Sequence, residues 1–391
     1  MKTRPGAHRG ARARPPFWRN VRVLRWAFQL VVLAAVVAFI AWLVANVRSN
    51  SEEIGIPTGY GYLDNPAQFP IPDSSFRQTQ PVRDAIVVGL VNTLRVTIIG
   101  IIAASILGTL VGIGRLSGNW LVRNLARIYV ETLRNIPLLL IIVFAYLGLA
   151  LTAFPRIEDA WQPLDVAVIS NRGVVVPSVD GSAWALLLGI AIACGAGWLV
   201  ARWRRSIADR SGRNAHILLW TLATGVAIVL ATWFAADYAL DIPELEGRIV
   251  TGGIRLSPEY FAILFALVIY TASHIAEIVR GSIQAVHRGQ TEAAASLGLS
   301  SAQRLRLVVL PQAFRIAVPP LGNQYLNLAK NSTLGAVVSY YELALVTSIS
   351  VGNGAPAVPS YLLTLAIFIV LSFVLSLLVN VVNRRLALVE R

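Results

Sequence analysis

The chain predicts an all-α, polytopic membrane protein with about eight transmembrane helices, and three observations lead to that class. Of 391 residues, 56% are apolar and only 14% charged, whereas a soluble domain of this size carries about 25% charge. Apolar runs lie near 26–47, 85–113, 135–152, 184–200, 215–234, 260–279, 319–340 and 360–382, each able to cross a hydrocarbon core of ~30 Å. The intervals around them alternate in basic content, 25 lysines and arginines in one set and 7 in the other, with Arg95 and Lys330 inside the runs. That asymmetry places both termini in the cytoplasm and eight spans between them. The net charge of +14 is therefore a topology signal and does not point to nucleic acid.

Residues 1–25 carry Lys2, seven arginines and no acid, the composition of a cytoplasmic tail drawn to anionic membrane lipid. A cleaved signal peptide is the competing reading, but the apolar run spans about 20 residues and no small-x-small site follows it. Residues 26–84 hold this first span and an extracytoplasmic loop rich in Gly, Pro, Tyr and Asp. Gly59-Tyr60-Gly61-Tyr62 in that loop suits either a protein-binding surface or a connector packed on the outer rim. In 85–152, Gly100, Gly108, Gly112 and Gly114 allow neighbouring backbones to approach closely. Arg95 within the same helix either snorkels outward or faces a cavity. Residues 115–134 form a basic cytoplasmic connection in which Glu131 and Arg134, three apart, can pair on one helix face.

Residues 153–258 form an extracytoplasmic loop, a helical hairpin and a second outer loop. Arg202, Arg204, Arg205, Arg210 and Arg213 hold the hairpin's turn on the cytoplasmic side. The outer loops are acidic, with Asp159, Asp165, Asp180, Asp237, Asp241, Glu244 and Glu246. Cys194 is the single cysteine, which excludes a disulfide framework, and the histidines show no ligand spacing.

From Gly289 to Thr333 the chain is basic, cap-rich and helical. Glu292, Ala293, Ala294 and Ala295 are strong helix formers. Gly298 stands where a helix ends in the left-handed conformation, with Leu299 as the apolar contact that follows. Ser300 and Gln303 form a capping-box signature for a second helix over Ser301–Val309, which Pro311 ends or bends. The corner is small on one side (Ala293, Ala294, Gly298) and basic on the other (Arg304, Arg306). Such a corner fits a partner's surface, although an ordinary cytoplasmic hairpin has the same caps. Just upstream, Glu277 and Arg280 make either a local ion pair or a polar lining of a translocation path. For a helix starting near Pro319, Lys330 lies ~16 Å along it, close to mid-depth. Its neighbours Asn331, Ser332 and Thr333 then face a partner subunit or the path.

The order Glu292-Ala293-Ala294, Gly298, Val308, Leu310-Pro311 resembles the EAA motif of ABC importer permeases, with Val308 where Ile is usual. GLVNTLRVT (89–97), YVETLRNIPLLL (129–140), the helix and lead-in over 270–292, and Lys330–Leu334 resemble the polar amino-acid branch of that family. The insertion resembles that of general L-amino-acid permeases. Members often carry a Gln near positions 140–142, where this chain has Leu140-Ile141-Ile142.

The resemblance implies a type I importer permease core in two parts, 85–152 and 259–385, separated by the inserted hairpin and followed by a tail at 386–391. Its coupling loop is 289–311, with Glu292, Ala293, Ala294, Gly298, Leu299 and Arg304 facing an ATPase. Glu277, Asn331, Ser332 and Thr333 are candidate path residues, and Glu131, Arg134 and Arg280 candidate ion-pair residues. The implied function is import of amino acids across the bacterial inner membrane by alternating access, with this multi-pass subunit forming half of the path.

The chain has no Walker A loop, so ATP and Mg belong to a separate ATP-binding subunit dimer and no cofactor is expected here. The remaining partners implied are a second permease subunit, in a heterodimer, and an extracytoplasmic amino-acid-binding protein. A secondary transporter would show internal repeats, and none is visible. A membrane enzyme would need a nucleophile–base or metal constellation, which is also missing from the sequence.

Overall fold

The computed structural model describes residues 21–55, 57–181, 183–211 and 216–386. The basic tail before Val21, Arg213 in the hairpin turn and the last five residues lie outside them. Among the described residues five helices are long and apolar enough to cross a membrane, and two bent pairs raise the number to seven if each pair is one span. The remaining apolar run is a shorter helix, Leu219–Ala235.

Helix α1, Val21–Glu53, is exposed along nearly all its length. The packing centre is the pair of α2, Val82–Gly114, and α7, Pro258–Gln284. Their approach is set by glycine. A Cβ on Gly108 would fall 2.7 Å from the Ile275 Cβ and 2.8 Å from the Ala272 carbonyl oxygen, and one on Gly112 2.8 Å from the Ala276 oxygen. Hydrogen alone fits there, as in close helix crossings within lipid. Around this seam Val96, Ala104, Ile142, Ile263, Leu267, Ile275 and Leu328 form the main buried cluster.

Helix α3, Trp120–Asn135, is amphipathic and capped by the Asn119 side chain, which accepts from the Leu121 and Val122 amides. It meets the next span at 107°. The break is at Ile136-Pro137, because the residue before a proline is forced out of the helical region, and Ile136 is extended. The span itself is α4, Leu138–Val143, continued as a π-helix over Phe144–Ala153.

In the insertion, α5 (Ala183–Ser211) and α6 (Ile217–Ala235) pack on each other. The two flanking loops are tied together by short antiparallel strands, a finding beyond the all-helical expectation. Strands β1 (Val168–Ser170) and β2 (Gly173–Val176) belong to the first loop, and β2 pairs with β7 (Ile254–Leu256) of the second. Strand β3 (Ser178–Asp180) pairs with β4 (Ala239–Asp241), and β5 (Glu244–Glu246) with β6 (Ile249–Thr251). An Arg248–Glu158 ion pair at 2.5 Å adds a further clamp between the loops.

After α7 come α8, Arg288–Ser296, and α9, Ser301–Arg304. Pro311 does not end the second helix. A π-helical turn over Leu305–Val309 leads without a break into α10, Leu310–Asn331, and Pro311 sits where the π-turn gives way to the α-helix. Because α10 begins at Leu310 and not near Pro319, Lys330 lies about 30 Å along it, in its last turn, and not at its middle. A 3₁₀ stretch, Ser332–Val338, then α11 (Leu343–Gly352) and α12 (Ala357–Leu386) complete the fold.

Candidate functional site

The corner between α8 and α9 is built by local caps. The Leu299 amide donates to the Ala294 oxygen at 3.2 Å and the Gly298 amide to the Ala295 oxygen at 2.9 Å, the paired bonds of a Schellman motif. Gly298 has φ +75°, and a Cβ there would meet nothing within 4 Å. Two residues later the capping box is complete. The Gln303 amide donates to Ser300 Oγ at 3.4 Å, and the Ser300 amide to Gln303 Oε1 at 2.9 Å.

A small apolar cluster of Ile283, Val286, Val309 and Ala313 braces the corner from behind. In front, Glu292, Ala293 and Gly298 are exposed, and Leu297 stands 81% exposed at the tip. Ala294 is buried and supports the corner from inside. Leu299 is half-buried, and Arg304 lies along the second helix, donating to Ser301 Oγ at 2.9 Å. The exposed Leu297 is the residue that sequence reasoning missed. Its signal was an apolar residue immediately before the capping glycine.

Glu277 is the centre of an ion-pair cluster. It accepts from Arg115 at the end of α2 and from Arg280 one turn on, with the Arg280 Nε at 3.2 Å. Arg280 also donates to Gln284 Oε1 at 2.5 Å. These bonds occupy both carboxylate oxygens, so Glu277 makes the expected ion pair with Arg280 and also joins α7 to the end of α2. The expected Glu131–Arg134 pair does not form. Glu131 pairs with Arg127 at 2.7 Å, since an arginine four residues away lies as close on a helix as one three residues away.

Asn331, Ser332 and Thr333 do not present one polar face. Ser332 is fully buried and donates to the Ala329 oxygen at 2.7 Å, while half-buried Thr333 donates to the Lys330 oxygen at 2.8 Å. The 3₁₀ turn takes up both hydroxyls, leaving Asn331, half-buried, and Lys330, exposed. The polar run marks a helix break. Across that break α2 stitches the chain. Asn92 Nδ2 donates to the Tyr341 oxygen at 2.8 Å, Tyr340 Oη to the Asn92 oxygen at 3.1 Å, and the Leu343 amide to Thr93 Oγ1 at 3.1 Å. The buried Glu342 caps α11, accepting from the Ala344 and Leu345 amides at 2.8 Å. Arg95 faces inward, its guanidinium 5.1 Å from the centre of the Tyr260 ring.

Apolar spans around a glycine-packed pair, with a braced, capped corner projecting between two of them, define a polytopic helical membrane protein. The chain belongs to the family of binding-protein-dependent transport system inner membrane components, whose model matches residues 193–388. It is 39% identical to a putative amino-acid ABC transporter permease protein, YhdX, of Escherichia coli strain K12, over 95% of this chain and 96% of that protein. It is 38% identical to the general L-amino acid transport system permease protein AapQ of Rhizobium johnstonii, over 93% and 92%. A third relative is the glutamate/glutamine/aspartate/asparagine transport system permease protein BztB of Rhodobacter capsulatus, 36% identical over 93% of each chain. The chain is thus a multi-pass inner-membrane permease subunit of an ABC transporter, and its family implies an ABC ATPase and a substrate-binding protein as partners.

Proposed function

We propose that the chain forms half of the translocation path of an amino-acid importer and is driven through the α8–α9 corner by a separate ATPase that binds ATP and Mg. The observation that carries this reading is the construction of the corner. Caps on both sides of Gly298 and the cluster behind it make a stiff projection, and α10 continues from it into the bundle. A push on Leu297, Glu292 and Ala293 therefore moves a whole helix and not a loop. Gly298 and Leu299 hold the bend, and Arg304 fixes the second helix. The substrate class is amino acids, in keeping with the relatives' names, two of which say amino acid and the third glutamate, glutamine, aspartate and asparagine. The other half of the path is a second permease subunit, and the insertion favours a heterodimer. Both termini lie in the cytoplasm with the corner, in keeping with the basic intervals.

The experiment is gentle detergent purification of the tagged chain with whatever binds it, followed by ATPase assay and by the same purification of Gly298→Asp. An ATP-binding subunit and a second permease are expected with the wild type, and loss of the ATPase with the variant. A chain that purifies alone, with the variant behaving identically, sinks the proposal.

A further inference from the structure

At the end of α7 opposite the corner, a cleft of about 290 Å³ opens between α2, α7 and the helix break. Arg95 of α2, Arg255 of β7, Glu259 of α7 and Asp73 of the preceding outer loop all line it, and Ser339–Tyr341 close one wall. Two guanidiniums and two carboxylates thus share one small space. Among the described residues no carboxylate pairs with Arg95. It rests on the Tyr260 ring face, which leaves N–H donors to give. A half-buried cation inside a span is costly, and those that persist usually face a polar path.

Arg255 arrives from the insertion. The pairing of β2 with β7 sets Arg255 opposite Val175, and its guanidinium donates to the Arg172 oxygen at 3.0 Å. Glu259 accepts from Tyr146 Oη at 3.1 Å. The inserted sheet therefore builds a wall of the cleft as well as joining the outer loops. The opposite wall is the break that ends the 22-residue helix α10, whose other end is the corner.

We propose that this cleft is where the translocated amino acid is first held by this chain, its α-carboxylate by Arg95 with Arg255 and its ammonium by Glu259 with Asp73. The assignment rests on the amino-acid reading above and adds to it a site and a role for the insertion. Fixed opposite charges in one cleft suit a zwitterion, and a bidentate guanidinium suits a carboxylate. Displacement of α10 from the corner would move the Ser339–Tyr341 wall and change the cleft as the transporter turns over.

The test is uptake by the full complex, reconstituted in lipid vesicles with its ATPase, second permease and binding protein, using the common L-amino acids as a radiolabelled mixture. Rates are taken per assembled complex. Arg95→Gln should lower maximal uptake by about tenfold and Arg255→Gln by about threefold, with half-saturation by the loaded binding protein unchanged. Arg95→Lys should recover most of the rate, which a purely packing role for the guanidinium would not allow. Should Arg95→Gln fail to assemble, Arg255→Gln, on an exposed strand, carries the test alone. Wild-type rates in the assembled Gln variants overturn the site and leave the importer reading standing, and so does a Lys variant as impaired as the Gln variant. No uptake by the wild-type complex overturns the amino-acid reading and the site with it.

Discussion

Arg115, the residue that follows α2, donates to the Glu277 carboxylate of α7, 162 residues further along the chain. The two side chains are only 14% and 28% exposed, and Arg280 shares the same carboxylate. This cluster closes the α2–α7 pair at the end nearest the corner. At the other end Thr93 and Asn92 hold the α11 break. Glu277→Gln leaves two guanidiniums without an anion and should cost about 1–2 kcal/mol, allowing for solvent screening. The apparent thermal midpoint of the purified complex should fall by a few degrees. An unchanged midpoint would show that the cluster contributes nothing.

The α2–α7 seam should refuse a side chain that the turn between α2 and α3 accepts. Gly108→Val places carbon against Ile275 and the Ala272 backbone, and overpacking of this kind costs about 1–3 kcal/mol or more. Gly118→Ala, where nothing lies within 4 Å, should express and assemble as the wild type does. Size-exclusion profiles of the two variants make the comparison. Equal monodispersity would contradict the packing account.

The corner should be sensitive to backbone conformation before it is sensitive to bulk. Gly298 has open space around it but a left-handed φ, so Gly298→Asn should be tolerated better than Gly298→Val, the β-branched residue losing about 1–2 kcal/mol. Hydrogen exchange at the Leu299 amide, bonded to Ala294, reports the strain. Faster exchange is expected for Val and little change for Asn.

Removal of the capping box should loosen α9 without moving the spans. Ser300→Ala deletes the acceptor for the Gln303 amide, a loss of about 1 kcal/mol. Exchange should quicken over 301–304 and stay constant in α2 and α7. Uniform quickening would mean that the corner and bundle unfold together.

The outer clamp should fail in acid. The Glu158 carboxyl is held below the usual carboxylate range, first by its own backbone hydrogen bond and then by the Arg248 guanidinium. A lowered folded value means that the contribution is complete above the ordinary carboxylate pKa and is lost as pH falls through the lowered one. Exchange of the β5–β6 hairpin, corrected for intrinsic rate, should therefore stay constant from neutral pH into the ordinary carboxylate range and rise only below it. Glu158→Gln should remove that step.

The corner was legible in the sequence because its determinants are local. Gly298, Ser300 and Gln303 act on backbone groups within five residues, so spacing alone predicts the bonds that form. The same locality misled at Glu131, where Arg127 and Arg134 were both in reach along one helix and only the folded side chains choose between them. It misled again at Ser332. A polar run resembles an exposed face, yet a 3₁₀ turn lets each hydroxyl satisfy a carbonyl three residues back.

By itself the sequence determined the helical membrane class, the capped corner and the glycines of the seam, all of which follow from composition, periodicity and contacts within a turn or two. The tertiary structure alone decided that Arg115 reaches Glu277, that the two inserted loops pair as strands, that α2 stitches the break beside Glu342, and that Arg95 and Arg255 line one cleft. Those pairings join residues between about 60 and 250 positions apart. At such separations chain closure and the close packing of α2 on α7 choose the partners, and no local propensity carries that information.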